Sequence, residues 1–168
     1  MKEIIGEYET FITKVDALVA AHGIAGDDLV QLDTICYRVE TNERYDELKR
    51  RLAGVALEID ETEVNGRLIS VFAVERPLVA GNWQSISYIE VPQPKPGSPY
   101  PEGIDHVQIV TRQRLSDFHA KYSETPFEEK GLVNIINPLL KLSGSDVSVK
   151  FHDKHMGAVV ELENKVSH

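Results

Sequence analysis

The sequence holds a single cysteine, Cys36, in 168 residues. One thiol cannot form an intrachain disulfide, which excludes the disulfide-stapled class of small secreted folds. No CxxC pair and no Cys/His cluster of zinc-finger spacing occurs. No stretch approaches the roughly 18 apolar residues of a membrane span. The first ten residues carry Lys2, Glu3, Glu7 and Glu9 and lack the apolar run of a signal peptide. Basic residues are few, 18 against 27 acidic ones, for a net charge of −9. Phosphates repel such a surface, so nucleic acid and anionic lipid are excluded as non-specific partners, although a small basic pocket is not. A Gly-rich phosphate loop, a GxSxG elbow and a paired Cys/His nucleophile motif are all missing, which removes the nucleotide-binding and serine or thiol hydrolase classes. These absences predict a cytoplasmic chain with no membrane association, and they leave the oligomeric state open.

What is present is a chain 42% hydrophobic, long enough for one domain with a sizeable core. Ile4, Ile5, Tyr8, Phe11, Ile12, Val15, Leu18 and Val19 recur at helical spacing, predicting one amphipathic helix over residues 3–21 with Gly23 as its stop. A helix-start signal at Thr41 opens a second helix that Gly54 ends. Residues 32–39, 55–59, 67–74 and 85–91 read as strands, the middle two flanking an Asn65-Gly66 hairpin turn. A proline-rich connector follows over residues 92–101, carrying Pro92, Pro94, Pro96, Pro99 and Pro101. The pattern then restarts: a strand at 104–110, a helix at 112–122, strands at 139–142 and 147–151, and a helical tail from His155. The expectation is an α+β fold, a single domain over 1–168, with an N-terminal helix (1–23) and two β-α-β-β-β modules (28–92 and 102–155) curved around a cleft.

Strand alternation sorts the polar side chains by face. Thr34, Cys36 and Arg38 share one face, opposite Asp33, Ile35 and Tyr37; Ile86, Tyr88 and Glu90 line up; His106, Gln108 and Val110 share a face; so do Ser148, Lys150 and His152. These faces are either solvated sheet surface or the lining of a cavity. Imidazoles, Gln and Tyr, where Lys, Glu and Thr are usual, favour the cavity. Glu90, His106 and His152 together are a sufficient donor set for a divalent metal with open positions. His22, His119 and His168 read as surface histidines, His155 as an outside ligand candidate, and Trp83 as an anchor of its strand. Cys36 on a strand reads as a small buried hydrophobe.

Asp33-Thr34-Ile35-Cys36-Tyr37-Arg38, Val64-Asn65-Gly66-Arg67, Ile89-Glu90-Val91-Pro92, Asp105-His106-Val107-Gln108-Ile109-Val110, Asn137-Pro138 and Val149-Lys150-Phe151-His152 occur in this order. Together they resemble the YecM-like branch of the vicinal-oxygen-chelate superfamily, the glyoxalase and extradiol-dioxygenase group. The resemblance spans about residues 28–155. It implies paired modules around a metal-containing cavity, with ligands on the first and last strands of each module, at Thr34, Glu90, His106 and His152. The family pattern has a histidine where this chain has Thr34, and a hydroxyl is a poor ligand for a transition metal. The implied cofactor is Zn, Mn, Fe or Ni on the remaining three donors. Arg38, Lys150, Gln108, Tyr88 and, beside its turn, Arg67 are the candidate groups for binding or catalysis. The implied function is an isomerase, lyase or dioxygenase acting on a small oxygenated, anionic molecule. The alternative is a metal-free binding or sequestering protein that uses the same cleft.

Overall fold

Gly6 splits the expected first helix in two. Its φ of 76° is open to glycine and leaves a short α1 (Lys2–Ile5) ahead of α2 (Tyr8–Ala21). The computed structural model describes residues 1–97 and 100–166. Pro99 of the connector and His168 therefore lie outside the described residues. The remaining elements are β1 (Leu29–Arg38), α3 (Asn42–Leu52), β2 (Ala56–Val64), β3 (Arg67–Ala80), β4 (Trp83–Pro92), β5 (Gly103–Thr111), α4 (Leu115–Lys121), β6 (Leu140–Ser143), β7 (Ser148–His152) and α5 (Met156–Val166).

Local chemistry explains the joints. The Thr41 hydroxyl accepts the Arg44 backbone N–H at 3.2 Å and caps α3. Asn65 and Gly66, both at positive φ (53° and 78°), turn β2 into β3 as the Asn-Gly signal requires. Trp83 anchors the start of β4 by donating its indole N–H to Asp16 at 2.8 Å.

The seven strands form one mixed sheet in the order β2-β3-β4-β1-β5-β7-β6. β1 lies parallel to β4, β5 lies parallel to β7, and β1 and β5 meet antiparallel at the centre. This is the α+β arrangement of two modules around a central pair, with a difference in the second one. It carries three strands; where the first has β2, the second has a short 3₁₀ turn (Lys130–Val133) and an isolated bridge between Glu128 and Lys141.

Helices α2, α3 and α4 cover one face. Ile12, Val15, Leu48, Leu52 and Phe118 bury against Leu32, Ile35, Phe72, Ile89, Val107, Val149 and Phe151 in the main core. Truncating such a side chain to alanine typically costs about 2–5 kcal/mol. Only α5, among the helices described, lies on the opposite face. It packs through a small separate cluster of Met156 and Val160 on Val71, with Ile59 and Tyr88 at its edge.

Candidate functional site

A rotation about the central β1–β5 pair relates the two modules. Ile35 faces Val107 across that pair, so Thr34 corresponds to His106 and Cys36 to Gln108. The outer parallel strands follow: Ile35 pairs with Ile89, and Val107 pairs with Val149. Glu90 therefore corresponds to Lys150, one residue beyond each of those positions. The four equivalent positions around the axis are Thr34, Glu90, His106 and Lys150.

His152 falls outside this set. It pairs with Val110, four residues along β5 from His106, or about 13 Å of strand. The structure thus brings Glu90, Cys36 and His106 into one row across β4, β1 and β5, and Tyr88, Thr34, Gln108 and Lys150 into the next across β4, β1, β5 and β7. It places His152 on the same face but further along the strand. Among the described residues, Cys36, Asp105 and His106 each offer a ligand atom within 4.8 Å of the others.

Two β-bulges shape the site in ways simple alternation misses. The β1–β5 register slips at Asp33 and at Asp105, so each aspartate turns toward the side chain that follows it. Thr34, fully buried, donates its hydroxyl to Asp33 Oδ1 at 3.0 Å. Asp33 is therefore beside Thr34 and not opposite it. Asp105 sits 2.7 Å from His106 Nδ1 and 2.8 Å from Arg38 Nη1. Arg38 in turn lies 4.5 Å from the centre of the Tyr100 ring. Ile86, expected beside Tyr88, belongs to the main core; the β3–β4 register shifts between Ala73–Tyr88 and Leu78–Ile86.

The electrostatics converge on Lys150. Burial alone would raise the Glu90 carboxyl, but the Lys150 ammonium and then His106 outweigh it and hold it below the usual carboxylate range. Burial, followed by Lys150, pushes His106 below its ordinary 6.5 against the pull of Asp105, and the same causes take His152 to about 3. Both rings are neutral at pH 7. His106 Nδ1 faces Asp105, and His152 Nδ1 faces Asn137 Oδ1 at 2.7 Å. Each Nε2 is then a buried lone pair, and neither has a partner among the described residues. Gln108 donates to Glu90 at 3.0 Å. Burial, then Glu90, keeps the Cys36 thiol protonated, well above its ordinary pKa.

The metal that the fold group implies meets a mixed donor set here. Glu90 and His106 suit a divalent ion, and the Asp105–His106 contact is the usual support for a ligating imidazole. The other two equivalent positions offer a hydroxyl already bonded to Asp33 and an ammonium. A fixed cation at a ligand position opposes a second cation, so the four positions do not fit a metal as a set.

Of the other candidates, Arg67, His22 and His119 lie apart from these rows. Arg67 Nη1 donates to the Gln93 carbonyl and the Tyr100 hydroxyl and serves the hairpin. His22 Nδ1 lies 2.9 Å from the Leu18 carbonyl, His119 pairs with Glu129 at 3.2 Å, and His155 is 3.8 Å from Asp33. Tyr88 lies under α5, its Oη 2.5 Å from the point where a Cβ on Gly157 would be.

The family model described as "YecM protein" matches residues 1–130. No curated protein matches the sequence. Among solved structures, a structural-genomics target called Protein EC4020 is 24% identical, with a TM-score of 0.73 over 92% of this chain and 87% of that one. A substituted methylmalonyl-CoA epimerase of Streptomyces coelicolor, in complex with 2-nitronate-propionyl-CoA, is 15% identical, with a TM-score of 0.53 over 74% and 96%. A hypothetical protein of Bacillus halodurans is 16% identical, with a TM-score of 0.53 over 74% and 94%. The shared feature is the fold of the vicinal-oxygen-chelate superfamily. No helix among the described residues is long and apolar enough to cross a membrane.

Proposed function

The chain belongs to the YecM family and has the fold of the vicinal-oxygen-chelate superfamily, and from that premise we propose that its cleft binds a small oxygen-rich anion at Lys150, with His106 as the base that exchanges a proton with it. The observation that carries this reading is the correspondence of Lys150 with Glu90 across the central strand pair. It puts a lysine where the fold's symmetry calls for a fourth donor. An ammonium can stabilise negative charge developing on a carbonyl or carboxylate oxygen, as a Lewis acid otherwise would. His106 is held in one tautomer by Asp105, itself fixed by Arg38, so its free Nε2 is poised as a general base. Gln108 donates to Glu90, whose ionised form is favoured by Lys150 and then by His106. The reaction class this favours is proton transfer beside a carbonyl, an isomerisation. Without turnover, the same contacts make a binding protein for the same anions.

The second reading is a divalent metal on Glu90 and His106 that His152 joins only if β7 shifts along β5, and the two buried, unpartnered imidazole nitrogens favour it. Calorimetric titration of the purified, untagged chain with Zn²⁺, Mn²⁺, Fe²⁺ and Ni²⁺ separates the two. The Lys150 reading expects weak metal binding that His106→Ala barely changes, and thermal stabilisation by small keto acids that Lys150→Met removes. Tight metal binding lost in His106→Ala would overturn it in favour of the metal. Neither metal binding nor keto-acid stabilisation would sink both readings of the cleft.

A further inference from the structure

A cavity of about 370 Å³ opens at the far ends of β5 and β7, lined by Thr111, Arg112, Gln113, Arg114, Asp153 and Lys154. Three cations against one carboxylate run counter to a chain whose net charge is −9. The carboxylate is already occupied. Asp153 Oδ1 pairs with Lys154 at 2.9 Å, and Oδ2 accepts the Leu115 backbone N–H at 3.3 Å. Arg112 spends its Nε on the Asp27 carbonyl at 2.7 Å, which fixes the guanidinium and leaves its two Nη groups available. Arg114 makes no ion pair within 4 Å among the described residues. The Gln113 Nε2 is buried and has no acceptor. An unpaired buried donor is unfavourable, and no acceptor of the described protein meets this one.

From the orphaned amide donor and the cations around it, we infer that this cavity is a binding site for a phosphate-type oxyanion, separate from the cleft. Several acceptor oxygens on one tetrahedral centre match a site with one amide donor, two guanidinium groups and an ammonium. A monocarboxylate would leave donors unmet. The strand ends set the spacing: Thr111 donates its hydroxyl to the Gln113 carbonyl at 2.8 Å and shapes the turn that carries Arg112 to Arg114, while β7 delivers Lys154. The inference does not depend on how the cleft is read, because none of the six lining residues belongs to the row of Lys150 or His106.

The test is an amide-resolved NMR titration of the full chain with inorganic phosphate, at constant ionic strength balanced by sodium chloride. The expected result is saturable shifts of the Gln113 side-chain amide and of the backbone at 111–115 and 153–155, with acetate weaker than phosphate. Gln113→Glu, which exchanges the donor for a carboxylate of the same shape, and Arg114→Glu should each weaken binding about tenfold or more. The spectra themselves report whether either variant remains folded, and Lys154→Ala gives a third, milder loss. A parallel titration with glycerol phosphate separates two sources of the same chemistry. Tighter binding than phosphate marks an anchor for the end group of a larger molecule, and equal binding marks a site for the free ion. Shifts that never saturate, that chloride reproduces, or that persist in both charge variants overturn the site. Loss of the shifts in Lys150→Met also overturns it, since the anion would then lie in the cleft.

Discussion

Asp33 Oδ2 accepts the backbone N–H of Met156 at 2.8 Å, a bond that joins the β1 bulge to the first turn of α5 across 123 residues of sequence. It satisfies one of the amide groups that a helix leaves unpaired at its start. With the small Val71–Met156–Val160 cluster, it fastens α5 to the sheet. Asp33→Ala should therefore loosen α5 by about 1 kcal/mol, the usual worth of such a cap. Hydrogen exchange should quicken at residues 156–160 ahead of the main core. Unchanged protection there would show that the apolar cluster alone holds the helix.

Gly157 tolerates the close approach of Tyr88 because it has no side chain. A Cβ there would lie 2.5 Å from Tyr88 Oη but 3.4 Å from Cζ. Gly157→Ala should destabilise by roughly 1–3 kcal/mol through overpacking. Adding Tyr88→Phe removes the colliding oxygen and should recover most of the loss, a coupling that urea denaturation of the four cycle members measures directly. Additive losses would mean that α5 shifts to avoid the ring.

Stability should fall in acid. His152, near 3 when folded, and His106, also depressed, take up protons in the unfolded chain first, from pH 6.5 downward. Their contribution is complete above about pH 6.5 and is lost as pH falls toward 3. Asp33 has the opposite sign. Burial raises it to about 6, so the folded chain holds its proton longer and its contribution declines as pH rises from 3.8 through 6. The melting temperature of His152→Gln should depend less steeply on pH between 6.5 and 4 than that of wild type, and Asp33→Asn more steeply. Parallel curves for all three proteins would contradict the assignment.

Thr34→His combined with Lys150→Glu should complete four donors around the axis. Asp33 would stand behind the new imidazole as Asp105 stands behind His106. Zn²⁺ affinity should rise at least about tenfold over wild type by calorimetry and fall back with His106→Ala. If the double variant gains nothing while His152→Ala weakens binding, the ligand positions are not the symmetric ones.

The alternation of residues 104–110 and 147–152 was enough to put His106, Gln108, Lys150 and His152 on one face, because strand period is a local property. Which of them stand side by side was not legible. That depends on the parallel register of β5 with β7, set by a crossover through α4 and the 3₁₀ turn, and a one-step difference exchanges Lys150 for His152. The bulges at Asp33 and Asp105 were equally hidden, since nothing in either tripeptide marks the extra residue. The Asn65-Gly66 turn and the Thr41 cap were readable because each is completed within four residues. Gly6 lies inside a continuous helical pattern that hides it, although a glycine there is the signal for the break that occurs. Residues 128–137 fit neither period, and it is there that the second module has a 3₁₀ turn and a bridge in place of a strand.

The two borders of the sheet meet the solvent differently. β2 is nine residues long with open backbone groups, and Glu58, Glu61 and Glu63 are exposed along it. Two copies approaching by this border would set Glu63 against its counterpart, while Lys49 already pairs with Glu58 and Glu61. At the other border, β6 has four residues, and the Glu128–Lys141 bridge occupies part of its free side, with backbone bonds of 2.7 and 3.1 Å. The bridge that replaces a whole strand thus does a second job: it takes up hydrogen-bonding capacity that a stray β-strand would otherwise use to extend the sheet into a fibre.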